Sequence, residues 1–152
     1  MTIRRFRTLR NAGVTGFSAI ELAIALAIVG ILTAVAYPSY QLQIAKGRRA
    51  DGTTSLLDLA NRMQRYSSEN NTFASATIAA GIATTDVLSS STSPQGYYTL
   101  SVTQQSANLF TIKATRAGAQ VADSRCGDLT LTSTNVRDIT NNAAGVVWSQ
   151  CW

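Results

Sequence analysis

Residues 17–36 are twenty mostly apolar positions that carry one charge, Glu21. As a helix rising 1.5 Å per residue, such a run is roughly 30 Å long, about one bilayer core. No ordinary soluble fold accommodates it on the surface. A carboxylate near the start of a membrane-length helix is expensive and normally has a partner and a task. Arg4, Arg5, Arg7 and Arg10 precede the run with no acid among them. That excess places the N-terminal side in the cytoplasm and the C-terminal body in the periplasm or exterior.

The same arginines explain most of the chain's basicity. Of 13 Lys and Arg residues four lie in the first sixteen positions, leaving nine against eight acidic ones. The basic balance therefore speaks of membrane orientation before it speaks of a nucleic-acid-binding body. Histidine is absent, which removes the commonest general base and metal ligand. No Gly-rich phosphate loop is present. Asp51 and Asp58 read as solvated helix charges, and Asp123 and Asp128 are too sparse for a calcium loop. These features argue against an enzyme and call for no cofactor or metal.

Helical periodicity continues past Pro38, which is expected to kink or interrupt the helix rather than end it; Gly30 is a second weak point. Leu56, Leu57, Leu59, Ala60 and Met63 predict an amphipathic helix over about 40–66, with Lys46, Arg48, Arg49 and Asp51 on its other positions. One helix from Phe17 to Tyr66 would be roughly 75 Å long, so part of it must project. Residues 67–96 read as loop with a short helix near Ile78–Ala83. Strands are expected at 97–103, 109–114 and 129–132, and an irregular tail from Asn135. The expected core is Leu57, Leu59, Met63, Leu100, Val102, Phe110, Ile112, Leu129 and Leu131. Cys126 and Cys151 are either two thiols in a reducing compartment or, in an exported chain, a bridge contributing roughly 3 to 4 kcal/mol.

A secretory signal with Ala34-Val35-Ala36 as its cleavage site would release a domain starting at Tyr37. A plain single-pass anchor is the other simple reading. Neither accounts for Glu21, nor for helical periodicity running through the cleavage point. The arrangement Gly16-Phe17, with Glu21 fifth from the cut, resembles the type IV pilin family. Gly30-Ile31-Leu32 and Ala36-Tyr37-Pro38-Ser39-Tyr40 add to the likeness, while Ser18 and Ala19 depart mildly from the commoner threonine and leucine. The cysteine pair, with Gly127-Asp128-Leu129-Thr130-Leu131 after Cys126 and Trp152 after Cys151, resembles minor pilins with a C-terminal disulfide loop.

The resemblance implies an α+β pilin fold, with a long N-terminal helix, half transmembrane and half packed, on an antiparallel sheet. It implies a prepilin leader at 1–16, a transmembrane and filament-core helix at 17–38, and a periplasmic or extracellular globular domain at 39–152 with a disulfide region at 126–151. Prepilin peptidase would cut at Gly16-Phe17 and N-methylate Phe17. Glu21 would pair with a neighbour's N-terminal amine during assembly, and Gly30 and Pro38 would let the helix bend. The partners implied are other pilin subunits in a helical filament, the prepilin peptidase, the inner-membrane assembly platform and the membrane before assembly. The roles implied are pilus biogenesis, twitching motility, adhesion or DNA uptake. Some minor pilins are DNA-uptake receptors, and Lys113, Arg116, Arg125 and Arg137 would form a basic stripe for nucleic acid. A type II secretion pseudopilin is the other alternative, although that group tends to lack the cysteine pair.

Overall fold

The computed structural model describes residues 16–152; Arg4, Arg5, Arg7 and Arg10 lie outside that range. The chain divides into two units, Met1–Ser39 and Tyr40–Trp152. Helix α1, Ala19–Asn70, contributes to both. Ser18 sits where an N-cap belongs, its carbonyl accepting the first helical bond from Leu22 N at 3.1 Å. The helix continues through Gly30 and past Pro38, which does not end it. A proline costs one backbone bond, and the bonds on either side carry the helix through. Every described residue of the first unit is exposed.

In the second unit α1 buries Arg49, Gly52, Leu56, Leu59 and Met63, a stripe at alternating spacings of three and four. Leu57, expected in the core, is exposed, because it lies one position off that stripe. Gly52 lets the aromatic ring of Tyr98 lie against the helix. A Cβ there would come within 2.8 Å of two Tyr98 ring carbons and 3.1 Å of Leu129 Cδ1. Asp51, expected in solvent, is buried and accepts bonds from the Ser93 hydroxyl, Gln95 N and Tyr97 N. It pins the loop before the sheet onto the helix.

The sheet is a four-stranded antiparallel meander of β3 (Tyr98–Gln105), β4 (Phe110–Arg116), β5 (Asp128–Thr132) and β6 (Arg137–Thr140). It is preceded by a small parallel pair, β1 (Thr77–Ile78) and β2 (Asp86–Leu88). The short helix expected near 78–83 is replaced by this pair and its turn. Ala79 and Gly81 take positive φ, which no right-handed helix tolerates. The turn is held by Asp86, whose carboxylate accepts bonds from the Thr77 hydroxyl and the Ala80, Gly81 and Ile82 amides. The tail is more ordered than its composition suggests, supplying β6 and a 3-10 turn at Trp148–Gln150.

Along the strands, Leu100, Phe110, Ile112, Ala114, Leu129, Leu131 and Ile139 alternate inward. They close over Leu56, Leu59 and Met63 with Tyr98 at one end and Phe73 at the other. Val102 is only half-buried, at a register shift in β3.

Candidate nucleic-acid interface

Between β4 and β5 the chain crosses the helix as a strap containing a 3-10 turn, Gly118–Ala122. Polar contacts hold the strap down. Arg49 Nε and Nη2 donate to Asp123 Oδ2 and Oδ1 at 2.6 and 3.1 Å, in a pair almost wholly buried. Gln120 Nε2 donates to Asp123 Oδ2, to the Tyr98 hydroxyl and to Ala45 O. Burial first of all, with the Asp123 charge adding to it against the Gln120 bond, pushes the Tyr98 phenol up to about 12. Asp123 also accepts from Cys126 N, so the helix is linked through one carboxylate to the next functional stretch.

Cys126 and Cys151 form a disulfide across 25 residues, with Cα atoms 5.6 Å apart and both side chains buried. Gly127 follows with φ of +66°, and a Cβ there would collide with Thr140 O and the Asn141 backbone. Only glycine fits this close approach of β5 to the end of β6. The residues on either side of Cys151 each hold one arginine. Gln150 Oε1 accepts from Arg125 Nη2 at 3.3 Å. The Trp152 ring lies under the Arg137 guanidinium, 5.3 Å from its carbon to the ring centroid. Trp152 Nε1 donates to Asp138 O, which covers part of the outer edge of β6. Trp148 remains 46% exposed beside them in sequence.

Lys113 and Arg116 have a different setting. Both pair with Asp128, each at 3.1 Å. Asp128 also accepts from Arg116 N and Asn141 Nδ2. Burial alone would raise the Asp128 pKa, but the bonds from Asn141, the Arg116 amide, Lys113 and the Arg116 side chain outweigh it and lower it. Arg116 Nη1 donates further to Asp123 O at 2.7 Å.

Strand register separates Lys113 from Arg137. Ile112, Leu131 and Arg137 share one cross-strand row, and Lys113, Thr130 and Asp138 share the next. Adjacent rows point to opposite faces. The stripe expected from sequence is thus not one face, and the counter-charges sort its four positions into two pairs. Lys113 and Arg116 are neutralised in part by Asp128. Arg125 and Arg137 have no carboxylate within ion-pair distance among the described residues, and Arg137 lies against the Trp152 ring.

Gln120 and Asn141 join the site without a sequence signal for that role. Asn141 carries only a turn signal, and Gln120 carries none. Among the described residues no group of three or more His, Cys, Asp or Glu is placed to hold a metal ion. Glu21 lies exposed in the first turn of α1, where a carboxylate suits the helix dipole. Gly16, Phe17 and Ser18 precede the helix as irregular chain.

A family model described as "Type IV minor pilin ComP, DNA uptake sequence receptor" matches residues 38–130. That stretch includes Lys113, Arg116, Arg125 and Cys126. Fimbrial protein EcpC of Eikenella corrodens is 36% identical over 70 residues, which is 46% of this chain and 46% of that protein. The matched stretch thus spans about half the length of that relative.

Proposed function

The chain belongs to the type IV minor pilin ComP family, and on that premise we propose that it is a minor pilus subunit that captures DNA. In this reading prepilin peptidase cuts between Gly16 and Phe17 and N-methylates Phe17. The irregular backbone at Gly16–Ser18, directly before α1, supports it, since a peptidase needs extended, accessible chain. The new amine then lies four residues from Glu21. In the low dielectric of packed helices that carboxylate is strongly favoured beside a neighbouring subunit's amine. Residues 17–38 span the inner membrane before assembly and form the filament core after it. By length and composition α1 is long and apolar enough to cross a membrane. The protein acts by binding and assembly, without catalysis.

One observation carries the DNA reading: Arg125 and Arg137, without a carboxylate partner among the described residues, are each positioned by a residue adjoining Cys151, Arg125 by Gln150 and Arg137 by the Trp152 ring, with Trp148 exposed nearby in sequence. Arginine with exposed aromatic side chains suits a phosphate backbone and base or sugar faces. Fluorescence anisotropy of labelled duplex DNA against salt tests it. About two phosphate contacts give a slope of log K against log salt near −2, and Arg125→Ala and Arg137→Ala each reduce its magnitude by about 1. An unchanged slope in both variants overturns the assignment. The cysteine pair, the family match and the fimbrial relative together favour a pilus over a secretion pseudopilus.

A further inference from the structure

At the Thr132 end of the sheet, the β3–β4 hairpin and the turn between β5 and β6 flank an open cleft of about 430 Å³. It lies wholly within the second unit. A register shift in β3 shapes it. Val102 lies opposite Ile112, but Gln104, not Thr103, lies opposite Thr111, so Thr103 is an extra, bulged residue. With regular pairing Gln104 would fall opposite Phe110 and turn its amide towards the core. The extra residue re-aims it to the other face. Gln104, Thr111 and Thr132 thereby share one cross-strand row on the solvent side. Thr103 Oγ1 donates to Thr111 O at 3.1 Å, which ties the bulge down.

Among the described residues none that lines the cleft is charged. Lys113 lies on the same sheet face but is paired with Asp128, so a phosphate finds no cation here. β4 is paired on both sides, so the floor presents side chains and no open backbone edge to an added strand. What it presents is neutral hydrogen-bonding capacity. Thr111 Oγ1 donates to Gln104 Oε1 at 3.4 Å, which leaves the Gln104 Nε2 hydrogens without an acceptor among the described residues. Gln105 Nε2 donates to Ala74 O at 2.8 Å, which leaves its Oε1 to accept. Ser133 is fixed by its amide bond to Phe110 O and keeps its hydroxyl for the cleft. Leu109, 57% exposed, adds an apolar wall. Uncharged donors and acceptors beside one apolar surface match a sugar ring, which carries hydroxyls on its edge and C–H groups on its face. We propose that this cleft is a binding site for a neutral saccharide. It gives the subunit a recognition function separate from Arg125 and Arg137.

The test is two-dimensional amide NMR of the full chain in dodecylphosphocholine, a detergent without a sugar headgroup. Methyl glycosides of galactose, mannose, N-acetylglucosamine and N-acetylgalactosamine are titrated in turn, with N-acetylneuraminic acid as the acidic comparison. At least one neutral glycoside should give saturable shifts at Gln104, Thr111 and Ser133, with a Kd of about 1 mM for a ligand of that size. Gln104→Ala and Ser133→Ala should each weaken it about five-fold and leave DNA affinity unchanged. A lack of saturable shifts with all of the neutral glycosides overturns the site. So does wild-type affinity in the double variant, which would place the sugar elsewhere. Tighter binding of the acidic sugar overturns the neutral class. Displacement of bound glycoside by duplex DNA overturns the proposal too, and would assign the cleft to nucleic acid.

Discussion

Gly52→Ala should destabilise the fold, although alanine is the better helix former. In an exposed helix interior the exchange gains about 1 kcal/mol. At Gly52 the new Cβ meets Tyr98 Cδ2 and Cε2 at 2.8 Å and Leu129 Cδ1 at 3.1 Å. Neither neighbour yields easily. Tyr98 is fully buried, and its hydroxyl is held 3.2 Å from Gln120 Nε2, which is itself bound to Asp123 and Ala45. Overpacking of this kind costs about 1 to 3 kcal/mol. The net expectation is a loss of about 1 kcal/mol. Gly47 supplies the internal reference, since a Cβ at that position in the same helix would have no heavy atom within 4 Å. Gly47→Ala should stabilise by about 1 kcal/mol. The propensity contribution is common to both variants, so their difference isolates the packing contribution, about 1 to 3 kcal/mol or several degrees in Tm. Urea denaturation of the full chain in detergent, followed by tryptophan fluorescence and circular dichroism, measures it. If Gly52→Ala is as stable as Gly47→Ala, the Tyr98 ring does not pack tightly on the helix and the account of Gly52 is wrong.

Asp128→Asn should cost about 3 kcal/mol in the same assay, because Arg116 and Lys113 lose their shared counter-charge in a largely buried site. Asp128 has a lowered pKa, so its contribution is present above the ordinary carboxylate range and is lost as pH falls through the lower folded value. Acid unfolding of wild type should therefore begin below about pH 4 from this group, and the Asn variant should lack that component. Tyr98 is shifted the other way, to about 12 from an ordinary value of 10.0. Its stabilising effect is complete below about pH 10 and declines between there and about 12, so Tyr98→Phe should flatten the alkaline limb of the stability curve. Trp152→Phe keeps a ring under Arg137 but removes the Nε1 bond to Asp138 O. It should leave DNA affinity within about two-fold and speed amide exchange in β6, read by hydrogen–deuterium exchange.

The parts of the fold legible from the residues are those with a repeating apolar pattern. Leu56, Leu59 and Met63 place the packed helix, and alternation places β3, β4 and β5. The stripe is obscured where it continues through Gly52 and Arg49, since neither registers as apolar, and composition alone admits Leu57 to the core. β6 escapes the pattern because Arg137-Asp138-Ile139-Thr140 offers one inward apolar residue, Ile139, and is defined by pairing with β5. Asp51 reads as solvated because the partners that bury it, Ser93, Gln95 and Tyr97, lie more than forty residues away. The four basic residues of the candidate site are visible as types, but sequence does not reveal register. Register is what sets Lys113 and Arg137 on different faces, and Asp128 at the start of β5 draws in both Lys113 and Arg116.

The Arg49–Asp123 pair also determines how the molecule carries load. A pull on a ligand gripped by Arg125 enters the chain two residues from Asp123. That carboxylate is clamped by two bonds to a guanidinium on α1. A short route therefore leads from the strap into the helix over a few covalent links and one ion pair, in parallel with the chain that runs from Cys126 into β5. The disulfide removes the 25 residues beyond Cys126 from the length that can unreel, roughly 85 Å of extended chain.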